Sequence, residues 1–214
     1  MQMPPFLERC EILDGADMEK SGKVIRRKNG EYYKIKLCGR VCYLPLFEVA
    51  PGVKIAIFNL LGETTLLERI GKELANKMPK IDVIVTPEVK SVPLAYEVAK
   101  QLKVPYVVLR KIVKPYMAGA IKSTVVTITT GKPQDLWLDG KDIIILKNKR
   151  VALVDDVIST GATLRGMRKL VKKANGKIVV ECAVFTEGDS RKWRKIVSLG
   201  NLPVFLNNGG ERLK

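Results

Sequence analysis

The strongest chemical signal in the sequence is a run of acidic and small residues at positions 151–163, which reads VALVDDVISTGAT. Two adjacent acids, Asp155 and Asp156, stand between an apolar run and a short loop made of Ser159, Thr160, Gly161, Ala162 and Thr163. Backbone N–H groups in such a loop can approach an anion closely, and the positive end of a following helix favours binding. The acids suit sugar hydroxyls or a hydrated magnesium ion. The segment therefore predicts a phosphate site beside a polyol or metal site.

Several other kinds of chemistry are excluded by what the chain lacks. It contains neither G-x-x-x-x-G-K-[ST] nor G-x-G-x-x-G, which argues against a P-loop kinase and a dinucleotide enzyme. It also has no histidine, so Ser-His-Asp and Cys-His catalysis are impossible. The structural alternative for residues 151–163 is an ordinary helix N-terminus preceded by two solvated acids.

The elements that must position this segment alternate between strands and helices. We predict helices at 64–78, 91–102 and 163–174, and strands at 81–86, 104–110, 123–130, 150–155, 177–187 and 203–206. Residues 127–146 have the rhythm of strand, turn and strand. Because the strands are almost continuously apolar, we predict an α/β fold with a mainly parallel, twisted sheet flanked by helices. Ligands bind such sheets at the carboxyl ends of the strands.

The beginning of the chain predicts a smaller β region. Asn29-Gly30 lies between two strand-like runs and tolerates the positive φ of a tight hairpin turn. A third strand-like run covers residues 41–49. We therefore predict an N-terminal β-hairpin or hood region over residues 1–62 and an α/β domain over residues 63–214.

The segment at 151–163 resembles the signature of type I phosphoribosyltransferases over its whole length. The resemblance implies the fold of that family, with a small N-terminal β-containing hood. It implies that Asp155 and Asp156 contact the ribose hydroxyls of phosphoribosyl pyrophosphate and hold Mg²⁺ through water. It also implies that the loop binds the 5′-phosphate, with contacts from Val157, Ser159, Thr160, Gly161, Ala162 and Thr163. The implied reaction joins a nucleobase to the phosphoribosyl group and releases pyrophosphate.

The connection PEVKSV, at 87–92, is similar to the pyrophosphate loop of adenine and xanthine phosphoribosyltransferases. Glu88, Lys90 and Ser91 match that loop by position. Two of them depart from the adenine-type pattern, because Lys90 stands where Arg is usual and Ser91 where Gly is usual. Without the resemblance this is an ordinary strand-to-helix loop.

The segment RKIVKPYM, at 110–117, resembles an Arg-Lys-x-x-Lys run that leads into a mobile loop in adenine phosphoribosyltransferases. Arg110, Lys111 and Lys114 would neutralise the leaving pyrophosphate, where charge builds up in the transition state. Tyr116 is a further candidate for substrate contact. The alternative interpretation is a solvated, positively charged loop.

The resemblance favours a purine as the base, with adenine first because of the Arg-Lys-x-x-Lys run. Phe58 and Asn59 lie at the spacing of an Asn that belongs to the hood over the base in xanthine phosphoribosyltransferases. Phe58 would stack on a purine, and Asn59 would read its edge. The presence of Asn59 favours hypoxanthine or xanthine over adenine as the base. The structural alternative is that Phe58 is a core residue and Asn59 a turn residue.

The net charge of +16 supports a second hypothesis, a non-catalytic regulator that senses phosphoribosyl pyrophosphate and binds nucleic acid. The basic residues are spread along the chain and the N-terminal region predicts a hairpin rather than a winged helix, so we expect no nucleic-acid partner. The family resemblance implies a homodimer.

The chain shows neither a signal peptide nor an apolar run long enough for a membrane span. We therefore expect a cytoplasmic protein without a membrane partner. Its four cysteines form no C-x-x-C pair, and we expect them to be reduced.

Overall fold

A computed structural model of the chain describes residues 10–12, 21–126 and 133–206. The helices within these ranges are α1 (Thr64–Lys77), α2 (Val92–Leu102), α3 (Gly140–Leu146), α4 (Ala162–Lys173) and a 3₁₀ helix (Ser190–Trp193). The strands are β1 (Cys10–Ile12), β2 (Lys23–Arg27), β3 (Gly30–Leu37), β4 (Arg40–Ala50), β5 (Val53–Ala56), β6 (Val83–Pro87), β7 (Tyr106–Leu109), β8 (Ile121–Val126), β9 (Pro133–Leu138), β10 (Arg150–Ile158), β11 (Lys177–Glu187), β12 (Val197–Leu202) and β13 (Val204–Leu206).

A parallel sheet of five strands, in the order β12-β11-β10-β6-β7, forms the centre of the fold. Its apolar residues alternate between two cores, as the period of a strand requires. Ile84 and Val154 face a core shared with α1, α2 and the N-terminal sheet. Val85 and Leu153 face a core shared with α4, β8 and β9. Burial on both faces explains the continuous apolar runs, and the predicted α/β fold is confirmed.

The N-terminal sheet is antiparallel, with the order β13-β5-β4-β3-β2 and β1 paired to β4. The predicted hairpin at Asn29-Gly30 joins β2 to β3. Its last strand was not expected there, because we placed residues 203–206 in the α/β pattern. In the structure β13 pairs antiparallel with β5. Pro203 separates β13 from β12 and has no N–H to continue a sheet ladder. The boundary between residues 62 and 63 stays a prediction.

The region before β10 is a two-stranded sheet followed by a helix, which corrects part of the strand-turn-strand prediction. β8 and β9 pair antiparallel, while residues 127–132 lie outside the described part of the chain. The apolar run DIIIL belongs to α3 instead of a strand. Asp139 begins this helix by accepting a hydrogen bond from the backbone N–H of Lys141 at 3.3 Å. N-capping by Asp therefore outweighed the β propensity of the isoleucines.

The cysteines differ from the expectation of reduced thiols. Cys38 and Cys182 are free, but Cys42 is disulfide-bonded. Cys42 lies in β4 at a position that faces β1 in the antiparallel pair. Side chains of facing residues in such a pair are close enough to interact. The sequence does not show which strands pair, so it did not predict the disulfide. No helix within residues 10–12, 21–126 and 133–206 is long and apolar enough to cross a bilayer.

Candidate active site

The candidate active site lies at the carboxyl edge of the parallel sheet. Because β10, β6 and β7 are adjacent and parallel, their carboxyl ends lie at one edge, with about 4.8 Å between neighbouring strands. Asp155 and Asp156 lie near the end of β10, Ser91 follows β6, and Arg110 follows β7. The fold therefore brings the three segments identified in the sequence to one place.

Asp155 and Asp156 form a closely coupled pair of acids. Asp155 is 8% exposed, and its Oδ1 accepts a hydrogen bond from the backbone N–H of Asp156 at 2.9 Å. Burial raises the pKa of Asp155 well above its ordinary value, and the neighbouring carboxylate of Asp156 raises it further. The nearby hydroxyl of Ser91 opposes this shift in the pKa. Such a buried acid is stabilised by any ligand that brings hydrogen-bond donors or a cation.

The loop after β10 encloses a pocket of about 170 Å³, lined by Asp155 and residues 157–164. α4 begins at Ala162, and the preceding Gly161 has a φ of 70°, which glycine adopts without strain. Gly161 has no side chain to cap α4, and the N–H group of Ala162 donates a hydrogen bond to the hydroxyl of Thr160 at 3.3 Å. The first residues of α4 line the pocket, so their N–H groups lie beside it. These groups carry partial positive charge. The pocket can therefore hold an anion although none of its lining residues is basic.

Two residues that sequence reasoning missed, Glu187 and Trp193, lie against this loop. Glu187 is the last residue of β11, and its buried carboxylate accepts a hydrogen bond from the hydroxyl of Ser159. Trp193 donates from Nε1 to the backbone carbonyl of Glu187 at 2.9 Å. A Cβ atom on Gly161 would lie 3.0 Å from Cη2 of Trp193, so the indole packs directly on the loop.

The pKa of Glu187 is raised by burial, and the hydrogen bond from Ser159 lowers it. A signal for Glu187 was present in the sequence, because an acid ends the apolar run of β11 just as acids end that of β10. The sequence around Trp193 has no comparable feature. Its position on a 3₁₀ helix beside the loop depends on how the carboxyl edge of the parallel sheet packs.

Glu88 connects the ends of β6 and β7. Its carboxylate pairs with Arg110, with 2.9 Å between Oε2 and Nε, and accepts a hydrogen bond from the backbone N–H of Lys111 at 2.6 Å. The backbone N–H of Glu88 also donates to the carbonyl of Leu109 at 2.9 Å. The expected pyrophosphate loop and the basic segment are therefore one connected unit, in which a carboxylate orients Arg110.

The other two residues of the 87–92 loop have different environments. Ser91 is buried, and its hydroxyl donates to the carbonyl of Pro87 at 2.8 Å. Lys90 is exposed at the surface. Ser91 thus supports the loop and Asp155 from inside, while the Lys90 ammonium is free to meet a ligand from solvent.

The segment after Arg110 exposes both charged and apolar side chains. Lys111 and Tyr116 are exposed and Lys114 is half-buried. Met117 anchors the segment, because its side chain is buried and its Sδ accepts a hydrogen bond from the backbone N–H of Lys114 at 3.3 Å. This anchor, the strand ends and the contacts of Glu88 with Arg110 and Lys111 position the predicted cations.

Phe58 and Asn59 lie where the structural alternative placed them. Phe58 is 5% exposed and packs edge-on against Phe185 with 4.8 Å between ring centroids, so its ring belongs to the core. Asn59 is half-buried, and its Oδ1 accepts a hydrogen bond from the backbone N–H of Leu61 at 3.2 Å, as in a turn. Val157, also expected to contact substrate, is half-buried and packs against the first core while lining the pocket.

The acids at the end of β10 fit a magnesium ion that arrives with a phosphate-rich substrate. Mg²⁺ prefers oxygen ligands and is usually bound by one or two carboxylates together with substrate phosphates and water. Asp155 and Asp156 supply two such carboxylates next to an anion pocket. The described residues hold no cluster of three or more metal-binding side chains, so the donor set suits a shared ion better than a metal bound by protein alone.

Known proteins share this arrangement of sequence and fold. A family profile described as "phosphoribosyl transferase domain" matches residues 62–199. The chain belongs to the phosphoribosyl transferase family. The chain is 33% identical over 175 residues to the hypoxanthine/guanine phosphoribosyltransferase of Methanotorris igneus, and the match covers 81% of this chain and 82% of that protein.

Two further relatives differ in kind. The purine biosynthesis transcriptional activator PurR of Lactococcus lactis is 29% identical over 150 residues, which are 69% of this chain and 54% of PurR. The chain therefore matches about half the length of that regulator. The adenine phosphoribosyltransferase of Thermoanaerobacter pseudethanolicus has the same fold, with a TM-score of 0.63 and 23% identity over 74% of this chain and 95% of that chain.

Proposed function

We propose that this phosphoribosyltransferase acts in purine salvage, joining a purine base to phosphoribosyl pyrophosphate to give the nucleoside monophosphate and pyrophosphate. The observation that carries the proposal is the position of two acids, Asp155 and Asp156, beside an anion pocket formed by residues 157–164. A phosphorylated ribose offers hydroxyl groups and a phosphate on one small molecule. The acids match the hydroxyls, and the pocket matches the 5′-phosphate.

In the proposed reaction, a base nitrogen forms a bond to C1 of the ribose as the bond from C1 to the pyrophosphate oxygen breaks. Positioning contributes most of the catalysis, because the protein forms no covalent intermediate. Asp155 and Asp156 hold the ribose hydroxyls while positive charge develops on the sugar. Arg110, Lys111 and Lys114 stabilise the negative charge of the leaving pyrophosphate, and Glu88 holds Arg110 in place for this.

Magnesium is the cofactor we propose for this site. Asp155 and Asp156 would hold it through water. When bound with the substrate, the ion supplies positive charge that stabilises the leaving group. The raised pKa of Asp155 is consistent with an acid that awaits a cation, because a nearby positive charge favours the ionised form.

The base is the finer part of the proposal, and two observations point in different directions. The Arg-Lys-x-x-Lys run at 110–114 favours adenine. The 33% identity to a hypoxanthine/guanine phosphoribosyltransferase favours a 6-oxopurine. With Phe58 in the core, base selection by stacking on that ring requires the hood to rearrange. We propose adenine and hypoxanthine as the first two bases to test.

A regulator that binds phosphoribosyl pyrophosphate without turnover is the second candidate. The match to PurR of Lactococcus lactis and the net charge of +16 favour it. Such a protein would bind DNA with a strong dependence on salt, because phosphate contacts release counterions.

A homodimer is part of the proposal. Three apolar side chains near the site support it: Ile112 is 65% exposed, Val113 41% and Tyr116 70%. Clustered exposed apolar residues of this kind often mark protein–protein contacts. The predicted cytoplasmic location stays a prediction.

The test is pyrophosphate release from phosphoribosyl pyrophosphate and Mg²⁺, with adenine, hypoxanthine, guanine and xanthine supplied separately. Turnover with one of them, lost on chelation of Mg²⁺, would support the enzyme and identify its base. If phosphoribosyl pyrophosphate binds but no purine gives turnover, the enzyme proposal fails and the regulator takes its place.

A further inference from the structure

Ser159 and Glu187 form a hydrogen-bonded pair at the phosphate pocket. The hydroxyl of Ser159 donates to Oε1 of Glu187, which joins the loop after β10 to the carboxyl end of β11. A serine hydroxyl has one proton and two lone pairs. While its proton is directed at Glu187, Ser159 presents only lone pairs to the pocket. In this form the pair opposes the binding of an anion.

Glu187 cannot easily turn away from Ser159. It is 8% exposed, and the indole of Trp193 holds its backbone carbonyl at 2.9 Å. Its neighbour Thr186 donates a hydrogen bond to Asn201 on β12, and Asn201 donates to the carbonyl of Gly188. The chain on both sides of Glu187 is therefore held in place, and its carboxylate stays hydrogen-bonded to Ser159, which lines the pocket.

The charges around Glu187 do not neutralise it. The elements packed against β11 are β10, β12, α1, α4 and the 3₁₀ helix. The charged residues of α1 are exposed, and β12 has none. Arg165 of α4 donates to the carbonyl of Thr160, and Arg191 pairs with Asp189 at 2.9 Å. Arg168 of α4 pairs with Glu181, while Lys169 of α4 and Lys192 of the 3₁₀ helix are exposed. β10 carries Asp155, Asp156 and Arg150, and Arg150 pairs with Asp82. Accordingly, burial raises the pKa of Glu187, and only the Ser159 hydrogen bond lowers it.

We propose that Glu187 is a positioning residue for Ser159, and that a phosphate group binds at this loop together with one proton. The proton comes from solvent and joins the carboxylate of Glu187. The neutral carboxyl group then donates to Oγ of Ser159, which frees the hydroxyl proton of Ser159 to donate to a phosphate oxygen. No bond between heavier atoms forms or breaks. This inference rests on the proposed function, because it takes the loop as the site of a sugar 5′-phosphate.

The experiment measures proton uptake when ribose 5-phosphate binds to the full chain. Calorimetric titrations at about pH 8 are done in two buffers with different ionisation enthalpies. At that pH the second ionisation of the phosphate, with a pKa of about 6, is essentially complete in the free ligand. The wild-type protein is expected to take up protons as the phosphate binds, so that its binding enthalpy differs between the two buffers.

Three variants assign the proton to Glu187. Glu187→Gln keeps the length of the side chain and removes the charge, so it should bind ribose 5-phosphate about tenfold more tightly, equivalent to one pKa unit, with no proton uptake. Ser159→Ala should also lose the uptake, because the relay ends at that hydroxyl. Asp189→Asn is the matched control, since it removes a carboxylate two residues away that is paired with Arg191, and it should retain the uptake.

The outcomes separate a failure of the proton-uptake proposal from a failure of the proposed function. Wild-type binding without proton uptake, or unchanged uptake in Glu187→Gln, would overturn this inference and leave the proposed function standing. If the wild-type protein binds no ribose 5-phosphate, both proposals fail. Should Glu187→Gln not fold, as judged by circular dichroism, uptake that persists in Ser159→Ala would overturn the relay.

Discussion

The two ends of the parallel sheet hold acids in opposite electrostatic states. At the amino end, Asp82 accepts hydrogen bonds from Arg150 at 2.6 Å from Nη2, 3.0 Å from Nε and 2.8 Å from the backbone N–H. These bonds hold the pKa of Asp82 well below its ordinary value. At the carboxyl end, burial raises the pKa of both Asp155 and Glu187.

The opposite pKa shifts separate acids whose charge is paired within the protein from acids whose charge is not. The Asp82–Arg150 pair is complete within the protein, and so is the bidentate pair of Arg168 with Glu181. Asp155 is an acid without an ion pair among the described residues, and its ionised form is disfavoured until a donor or cation arrives. Perturbed acids gathered at one edge of a sheet are a physical marker of function.

The largest expected effect is on activity at the carboxyl end. Asp156→Asn removes a carboxylate that we propose to bind the ribose hydroxyls. Because a hydrogen bond to a charged group contributes roughly 1.5–3 kcal/mol, kcat/KM for phosphoribosyl pyrophosphate should fall about tenfold to a hundredfold in a steady-state assay. Asp82→Asn at the other end is the control and should keep its kcat/KM. Similar losses of kcat/KM in both variants would contradict the proposed difference between the two ends of the sheet.

A smaller effect is expected from the backbone of the phosphate loop. Gly161→Ala introduces a Cβ at a φ of 70° and 3.0 Å from Trp193, and positive φ costs a non-glycine residue roughly 1–2 kcal/mol. Calorimetry should show ribose 5-phosphate binding weakened about tenfold. Gly30→Ala is the matched control, because Gly30 also has positive φ but lies in a distant hairpin with open space around its Cβ position. Equal affinities for the two variants would argue against the loop as the anion site.

The two ends should also differ in thermal stability, and with opposite sign. Asp155→Asn removes a buried charge that folding disfavours, so its Tm should rise by about 2–4 °C, the shift expected for roughly 1 kcal/mol in a chain of this size. Asp82→Asn breaks a complete ion pair and should lower the Tm. Differential scanning calorimetry at pH about 7.5 measures both. A Tm shift of the same sign in both variants would show that the two acids do not have opposite effects on stability.

The smallest effect is on how stability depends on pH. The folded pKa of Asp82 is lowered, so its contribution is fully present above the ordinary value near 3.9 and is lost as the pH falls below it. Asp155 and Glu187 have raised folded pKa values, so they reduce stability as the pH rises from about 4 through those values. Urea unfolding across the pH range should show a flatter acid limb for Asp82→Asn and, for Asp155→Asn, a smaller loss of stability as the pH rises above about 4.

The sequence by itself determined the family, the parallel sheet and the loop that forms the pocket after β10. These features are local: the apolar runs define strands, and VALVDDVISTGAT sets the strand end, the acids and the helix start within thirteen consecutive residues. A tight loop around Gly161 needs only its own backbone to form an anion pocket. For the same reason the Asn29-Gly30 hairpin was predictable.

Only the tertiary structure decided the contacts that complete the site. Ser159 and Glu187 are 28 residues apart, and Glu88 and the backbone N–H of Lys111 are 23 apart, so each contact depends on which strands become neighbours and in what register. The same holds for Phe58, which packs against Phe185 in the core. An amino-acid pattern specifies which face of a strand is apolar, whereas the partner across the sheet is selected by packing of the whole chain.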